Sequence, residues 1–232
     1  MAGFIIGRGT LHATQAHAAG VKLETVARIF LIRHGENEYT RTGRLAGWTR
    51  GVALNAAGQQ QALALAAYLA AVPVHFIYSS PLQRALETAQ PLARRKHLRV
   101  RVLDALGEVR YGAWQGKSLK ELRLRKLWRT VQERPSQMVF PGGEALRAVQ
   151  TRAVDAVELL AARHAGQTVA LFSHGDVIRV TMAHYLGTPL DLFQRIMIGT
   201  ASISEINISP EHMAVVRANF SVPPLPVPAA AK

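Results

Sequence analysis

The sequence predicts an α/β protein of three layers, α/β/α, with a mostly parallel central sheet and helices on both faces. Strand-like and helix-like patterns take turns along the chain, and such alternation builds parallel sheets through right-handed crossovers. The strand candidates are short continuous apolar runs, the pattern of strands buried on both sides. The 232 residues are 49% hydrophobic and 19% charged, enough for one such domain with its own core. A single domain is expected over 26–220, between a poorly ordered N-terminal extension at 1–25 and a proline-rich extended tail at 221–232.

The first strand is VARIFLI at 26–32, rich in branched residues. Asn55 caps a helix that runs through Val72 and is stopped by Pro73. HFIYS at 75–79 is the second strand, followed by a helix over 81–95 that opens on Pro81, the favoured first-turn residue. Val100 and Val102 mark a third strand, and helical patterns follow at 118–134 and 143–165. TVALFS at 168–173 is the clearest strand, and a helix over 176–186 comes next. ASISEINIS and MAVVRANF read as a terminal hairpin turned by Ser209 and Pro210.

Charge is the unusual feature: 28 Lys and Arg against 15 Asp and Glu give +13. Residues 94–134 hold 13 bases and 4 acids, hence +9, whereas 1–93 hold 8 and 4 and 135–232 hold 7 and 7. This is a local basic stretch on a nearly neutral scaffold, and it asks for an anionic partner such as a phosphorylated metabolite. Nucleic acid is disfavoured, because the stretch has no interleaved stacking aromatics beyond Trp114 and Trp128. With no cysteine there is no disulfide, thiolate metal site or cysteine nucleophile. No run of about 20 apolar residues is present, so no membrane partner is expected. The first residues lack the basic start and apolar run of a secretory signal, and a cytoplasmic protein is expected.

In such sheets chemistry collects at the carboxyl ends of strands. Two strands end alike, in LIRHGE at 31–36 and LFSHGD at 171–176, each placing a His-Gly step at a strand exit. There glycine lets the backbone turn and leaves amide hydrogens free for an anion. The other seven histidines read as ordinary core or surface residues. A metal-binding pair stays open from His34 and His174 alone, although no HExxH helix or Asp-rich loop supplies further ligands. A third element is SSPLQRALETAQ at 79–90, where Arg84 lies one turn into a helix within reach of a phosphate.

Together these segments resemble the histidine phosphatase superfamily, which includes the cofactor-dependent phosphoglycerate mutases. LIRHGENEYTRTGRLAGWT is similar to the family's nucleophile motif, SSPLQRALETA to its second phosphate-binding motif and LGEVRYGAWQG at 106–116 to its acid-bearing loop. PGGE at 141–144 and FSHG at 172–175 complete five blocks in the family's order over about residues 28–220. The resemblance implies a phosphoglycerate mutase-like fold. It also implies His34 as the nucleophile that takes the phosphoryl group, Glu108 as proton donor and His174 completing the pocket as an imidazolium, with Arg33 and Arg84 gripping the phosphate oxygens.

Neutral imidazole is a competent nucleophile near pH 7, and two guanidiniums can supply the electrostatics that Mg²⁺ gives elsewhere. No metal and no cofactor are expected. Glu108 must alternate between acid and base, so its pKa should be raised by burial and opposed by the arginines. Asn37 and Thr40 replace residues that are usual in the family and are expected to bind phosphate by hydrogen bonds. Asp176 is expected to cap the helix it begins rather than orient a cation.

Mutases of the family carry a long insertion between the acid and the second histidine. Glu108 and His174 are only 66 positions apart, which favours a metal-independent phosphomonoesterase over mutase-type phosphoryl transfer. The basic residues from Lys117 to Arg134 fall where the family's substrate cover lies, and some of them are expected to attract or hold an anionic substrate. The substrate itself and the association state, with a homodimer among the options, are left open.

Overall fold

A computed structural model describes residues 25–224. The chain runs β1 (Ala27–Arg33), α1 (Glu38–Arg41), α2 (Ala56–Tyr68), β2 (Phe76–Ser79), α3 (Gln83–Lys96), β3 (Val100–Val102), α4 (Leu119–Leu122) and α5 (Lys126–Glu133). It continues with α6 (Leu146–Arg163), β4 (Thr168–Ser173), α7 (Gly175–Tyr185), β5 (Ile203–Ile208) and β6 (Met213–Phe220). Of the expected N-terminal extension and C-terminal tail, residues 1–24 and 225–232 lie outside the described residues.

The sheet has the order β3-β2-β4-β1-β5-β6. β3, β2, β4 and β1 are parallel, and the β5–β6 hairpin adds two antiparallel strands. β4 is buried along its whole length. On β1 successive side chains face opposite layers. Ile29 and Leu31 pack with Leu160, Ile178 and Met182 of α6 and α7, while Phe30 and Ile32 pack with Leu65 of α2 and Leu92 of α3. That arrangement is the three-layer α/β/α architecture expected from the continuous apolar strands. A third cluster, including Tyr111, Trp114, Leu122, Phe140 and Val180, lies under the acid-bearing loop.

Most elements fall where the sequence puts them, and the differences have local causes. Asn55 caps α2 by accepting from Gly58 N at 2.9 Å, but the helix gives way to a 3₁₀ turn at Leu69–Ala71. Pro81 stands outside α3, whose N-cap is Leu82. The expected helix at 143–165 begins only at Leu146, because a turn at 140–144 and a bridge between Val139 and Ala145 come first.

The expected single helix at 118–134 is two. Ser118 and Glu121 form a capping box that starts α4. Leu122 and Val131 both pack into the third cluster. Nine residues apart at about 100° each, they would face opposite ways on one continuous helix. The break at 123–125 lets both turn inward. The short α1 was not expected; Asn37 caps it by accepting from Tyr39 N and Thr40 N.

Candidate active site

β1 and β4 pair in parallel with Arg33 opposite Ser173, so the residues that follow each strand emerge side by side. These are His34 and His174, whose ring centroids lie 5.1 Å apart. The turn after β1 packs against the first turn of α2 through two glycines. A Cβ on Gly35 would stand 2.7 Å from Gly58 O, and one on Gly58 would stand 2.0 Å from Glu36 O, so neither position admits a side chain. Gly35 N also donates to Thr88 Oγ1 at 2.9 Å, tying the turn to α3.

His34 is 2% exposed, and its Nδ1 lies 2.7 Å from Gly35 O. Only a protonated Nδ1 can make that bond, so the neutral ring carries its hydrogen there and presents Nε2 with a free lone pair. Burial, then Arg84 and Arg33, push the His34 pKa well below its ordinary value, which keeps the ring neutral. His174 is held neutral in the same way, by burial first and by Arg84, His34 and Arg33 after it. These surroundings disfavour the expected imidazolium at His174, because burial and its Arg84, His34 and Arg33 neighbours all penalise the charged ring.

Arg33 donates Nη1 to Ile198 O at 2.7 Å, and Arg84 donates Nη2 to Gly47 O at 2.9 Å. These bonds aim the two guanidiniums and leave Arg33 Nε, Arg84 Nε, Arg84 Nη1 and His174 Nδ1 buried without partners. Unsatisfied buried donors cost about 1–3 kcal/mol each, more when charged, so four of them gathered at and beside one cavity are the kind of donor set that suits an anion. Gly175 makes room for the arrangement. A Cβ there would lie 3.2 Å from both Cζ and Nε of Arg33.

Glu108 lines the same cavity. Its loop is held by Trp48 Nε1 and Arg152 Nη2, which donate to Glu108 O at 2.6 and 3.2 Å. Ser173 Oγ donates to Leu106 O at 2.7 Å, which ties the loop to the end of β4. Burial, reinforced by the Asp176 charge and opposed by Arg84, Val109 N and Arg33, pushes the Glu108 carboxyl up to about 7. A carboxyl so placed can both give and take a proton near neutral pH.

The cavity holds about 240 Å³, and Arg33, His34, Asn37, Thr40, Arg84 and Glu108 all line it, with His174 beside His34. Asn37 Oδ1 caps α1, but its Nδ2, 3.5 Å from a ring nitrogen that is already donating, stays available to a ligand. Thr40 differs from expectation. Its hydroxyl donates to Asn37 O at 2.8 Å and accepts from Asn37 N at 3.0 Å, so it is occupied in fixing Asn37. Asp176 does not cap α7, whose N-cap is His174. It accepts instead from Tyr111 Oη at 2.7 Å and Arg179 Nη1 at 3.0 Å, because its side chain points into the cavity wall where these donors converge.

Of the segment from Lys117 to Arg134 only Leu119 reaches the cavity; the cations that line it are Arg33, Arg44, Arg84 and Arg179. The basic residues expected to attract or hold an anionic substrate therefore do not line this cavity, which corrects the expectation of direct contact there and leaves attraction at a distance as before. Sequence reasoning also missed Ser80, whose Oγ lies 2.7 Å from His174 Nε2, and Thr88. Both sit in the block quoted around Arg84, and their polarity at a strand end and on the inner face of α3 was the available signal. Among the described residues no group of three or more His, Asp and Glu is arranged to hold a metal ion.

A family model described as "Histidine phosphatase superfamily (branch 1)" matches residues 29–221. Phosphoserine phosphatase 1 of Hydrogenobacter thermophilus is 31% identical over 198 residues, which cover 84% of this chain and 93% of that protein. A metal-independent phosphoserine phosphatase of Arabidopsis thaliana is 34% identical over 166 residues, 68% of this chain and 69% of its own length. Among solved structures, a mycobacterial glucosyl-3-phosphoglycerate phosphatase superposes with a TM-score of 0.76 at 27% identity, covering 84% of this chain and all of that one.

Proposed function

The chain belongs to the histidine phosphatase superfamily, and we propose that it hydrolyses small phosphate monoesters, without a metal, through a phosphohistidine on His34 with Glu108 as proton donor. It is a phosphomonoester hydrolase, as its relatives are. One observation carries the assignment of roles: the His34 Nδ1 bond to Gly35 O directs a neutral Nε2 into a cavity ringed by unpartnered donors.

In the proposed reaction the ester phosphate lies on Arg33, Arg84, Asn37 Nδ2 and His174 Nδ1. Nε2 of His34 attacks phosphorus in line while the ester P–O bond breaks, and Glu108 gives its proton to the departing oxygen. Charge that gathers on the phosphoryl oxygens meets donors already fixed in place, so little reorganisation is needed. Glu108, now a carboxylate, takes a proton from the water that attacks the phosphohistidine, and the N–P bond breaks to release inorganic phosphate. Thr40 acts through Asn37 rather than on the phosphate.

The relatives are named for phosphoserine and glucosyl-3-phosphoglycerate, both of which carry a carboxylate close to the phosphate. Arg44 and Arg179 line the cavity beyond the phosphate cage. A small phosphorylated acid of the cytoplasm is the substrate class this favours. A panel of phosphoserine, 3-phosphoglycerate and an aryl phosphate, assayed with and without chelator and vanadate and with His34→Ala as the blank, tests the reading. Chelator-insensitive, vanadate-sensitive phosphate release that disappears in His34→Ala is expected. Loss of activity on chelation, or phosphoryl exchange between metabolites without net release, would overturn it.

A further inference from the structure

The excess positive charge is not spent in the active site. None of Lys117, Lys120, Arg123, Arg125, Lys126, Arg129 and Arg134 lines the catalytic cavity, and the one ion pair recorded among them joins Arg129 to Glu133 at 2.8 Å. Like charges crowded on one surface repel, so the cluster destabilises the isolated fold slightly unless an anion neutralises it.

The cluster is not purely polar. The break between α4 and α5 exposes Arg123, Leu124, Arg125, Lys126 and Leu127 in succession. Leu124 is 88% exposed, at the tip of the turn and flanked by two arginines. Leu127 turns to an open apolar cavity of about 490 Å³ whose other walls include Trp114, Ala113 and Pro141 and whose rim carries Lys117, Arg125 and Lys126. Lys126 also borders a second hollow, of about 330 Å³, with Arg129, Thr130, Glu133 and Arg134. α5 thus separates an apolar recess from a polar one with three cations and one carboxylate. Its inner face, Trp128 and Val131, packs against the third cluster, and Trp128 stacks on Trp114 with ring centroids 6.3 Å apart, which anchors α5.

We propose that the turn at 123–127 together with α5 is a docking surface for an anionic lipid membrane. Basic residues around exposed leucines match a bilayer interface, where headgroup phosphates and carboxylates meet the cations while apolar side chains enter the acyl boundary. Lysine and arginine stems lie along the apolar surface and keep their charges in the headgroup layer. A second copy of this chain would bring one cationic cluster against another. Nucleic acid would gain from the charge but nothing from Leu124. The surface adds peripheral attachment to a chain in which, among the described residues, no helix is long and apolar enough to cross a membrane. The inference does not depend on the assigned chemistry.

Co-sedimentation of the full-length protein with vesicles of phosphatidylcholine alone, and of phosphatidylcholine doped with phosphatidylserine, tests the proposal. Binding is expected to the anionic vesicles only. Leu124→Asp with Leu127→Asp, and separately Arg123→Glu with Arg125→Glu, should each weaken it by about tenfold or more. Both variants should keep wild-type kcat/KM on a soluble aryl phosphate, which also establishes that they fold. Failure to bind anionic vesicles would overturn the proposal, as would binding indifferent to the leucine changes. Tighter retention on nucleic acid than on vesicles, or self-association abolished by Leu124→Asp, would reassign the surface and equally overturn it.

Discussion

Ser80 Oγ lies 2.7 Å from His174 Nε2, and it also accepts a hydrogen bond from Leu82 N at 3.2 Å. Among the described residues the Ser80 hydroxyl hydrogen has no other recorded acceptor, so it goes to His174. Nε2 is then the acceptor, the hydrogen of the neutral ring sits on Nδ1, and Nδ1 is the buried atom without a partner. Ser80 thereby decides which nitrogen of His174 donates toward the phosphate.

Ser80→Ala should lower kcat by about 10- to 100-fold, the scale on which groups that orient a functional histidine act, with a smaller change in KM. The ¹⁵N shifts of His174 should move from a single Nδ1–H tautomer to a mixture. An unchanged tautomer in the variant would show that Ser80 only fills space.

The turnover profile should fall on the alkaline side. The first step needs neutral His34 and protonated Glu108, whose pKa is raised to about 7, so kcat/KM of the free enzyme should decline above that pH. It should hold well into acid, because His34 stays neutral to well below its ordinary pKa. Glu108→Gln should remove the alkaline limb. It should harm alkyl phosphates far more than aryl phosphates, whose leaving oxygens need less protonation. Equal losses on both would argue against Glu108 as the donor.

Asp176 raises the Glu108 pKa through its charge. Asp176→Asn should therefore lower that pKa and move the alkaline limb to more acid pH. Tyr111→Phe keeps the charge while removing the 2.7 Å hydrogen bond to it, and should not move the limb in that direction. A limb that stays put in Asp176→Asn would mean that burial alone sets the Glu108 pKa.

Burying Glu108 carries a stability cost with a definite pH window. Its folded pKa, about 7, lies above the ordinary 4.5, so the folded state binds the proton more tightly than the unfolded one. The associated stability is complete below about 4.5 and is lost as pH rises through 7, to a total on the order of 3 kcal/mol at most. Glu108→Gln should be more stable than wild type at alkaline pH, with the advantage shrinking toward acid in denaturant titrations. A pH-independent difference between the two proteins would sink this account.

Gly175→Ala puts a methyl group 3.2 Å from Arg33 Cζ and Nε. The guanidinium must move by tenths of an ångström, and KM and kcat should both worsen, with losses up to about 100-fold, while the melting temperature changes little. Full activity in this variant would mean that Arg33 tolerates displacement and does not grip the phosphate tightly.

The sequence made the sheet legible because β4 and the stretch of β1 from Ile29 to Ile32 are short apolar runs, the pattern of strands covered on both faces. His34 and His174 were legible because each follows such a strand and precedes glycine. What pattern could not reveal was where secondary hydrogen bonds go. Thr40 and Asp176 carry groups that suit several partners, and three-dimensional neighbours chose Asn37 for one and Tyr111 with Arg179 for the other. The broken helix at 118–134 was hidden for a similar reason: its charges fit either geometry, and only the shared burial of Leu122 and Val131 demands the break.

Both neighbours of β1 in the sheet, β4 and β5, come from the last third of the chain, although β1 itself is the first strand. During synthesis the strand that leads into the proposed nucleophile, His34, therefore emerges early and waits unpaired while more than a hundred residues follow. Contacts this distant in sequence are slow to form, and an unpaired apolar strand is prone to aggregate in the meantime. The same delay has a useful side. A ribosome-bound or prematurely terminated chain that lacks β4 cannot bring His174 to His34, so the paired-histidine site cannot assemble until β4 has been made.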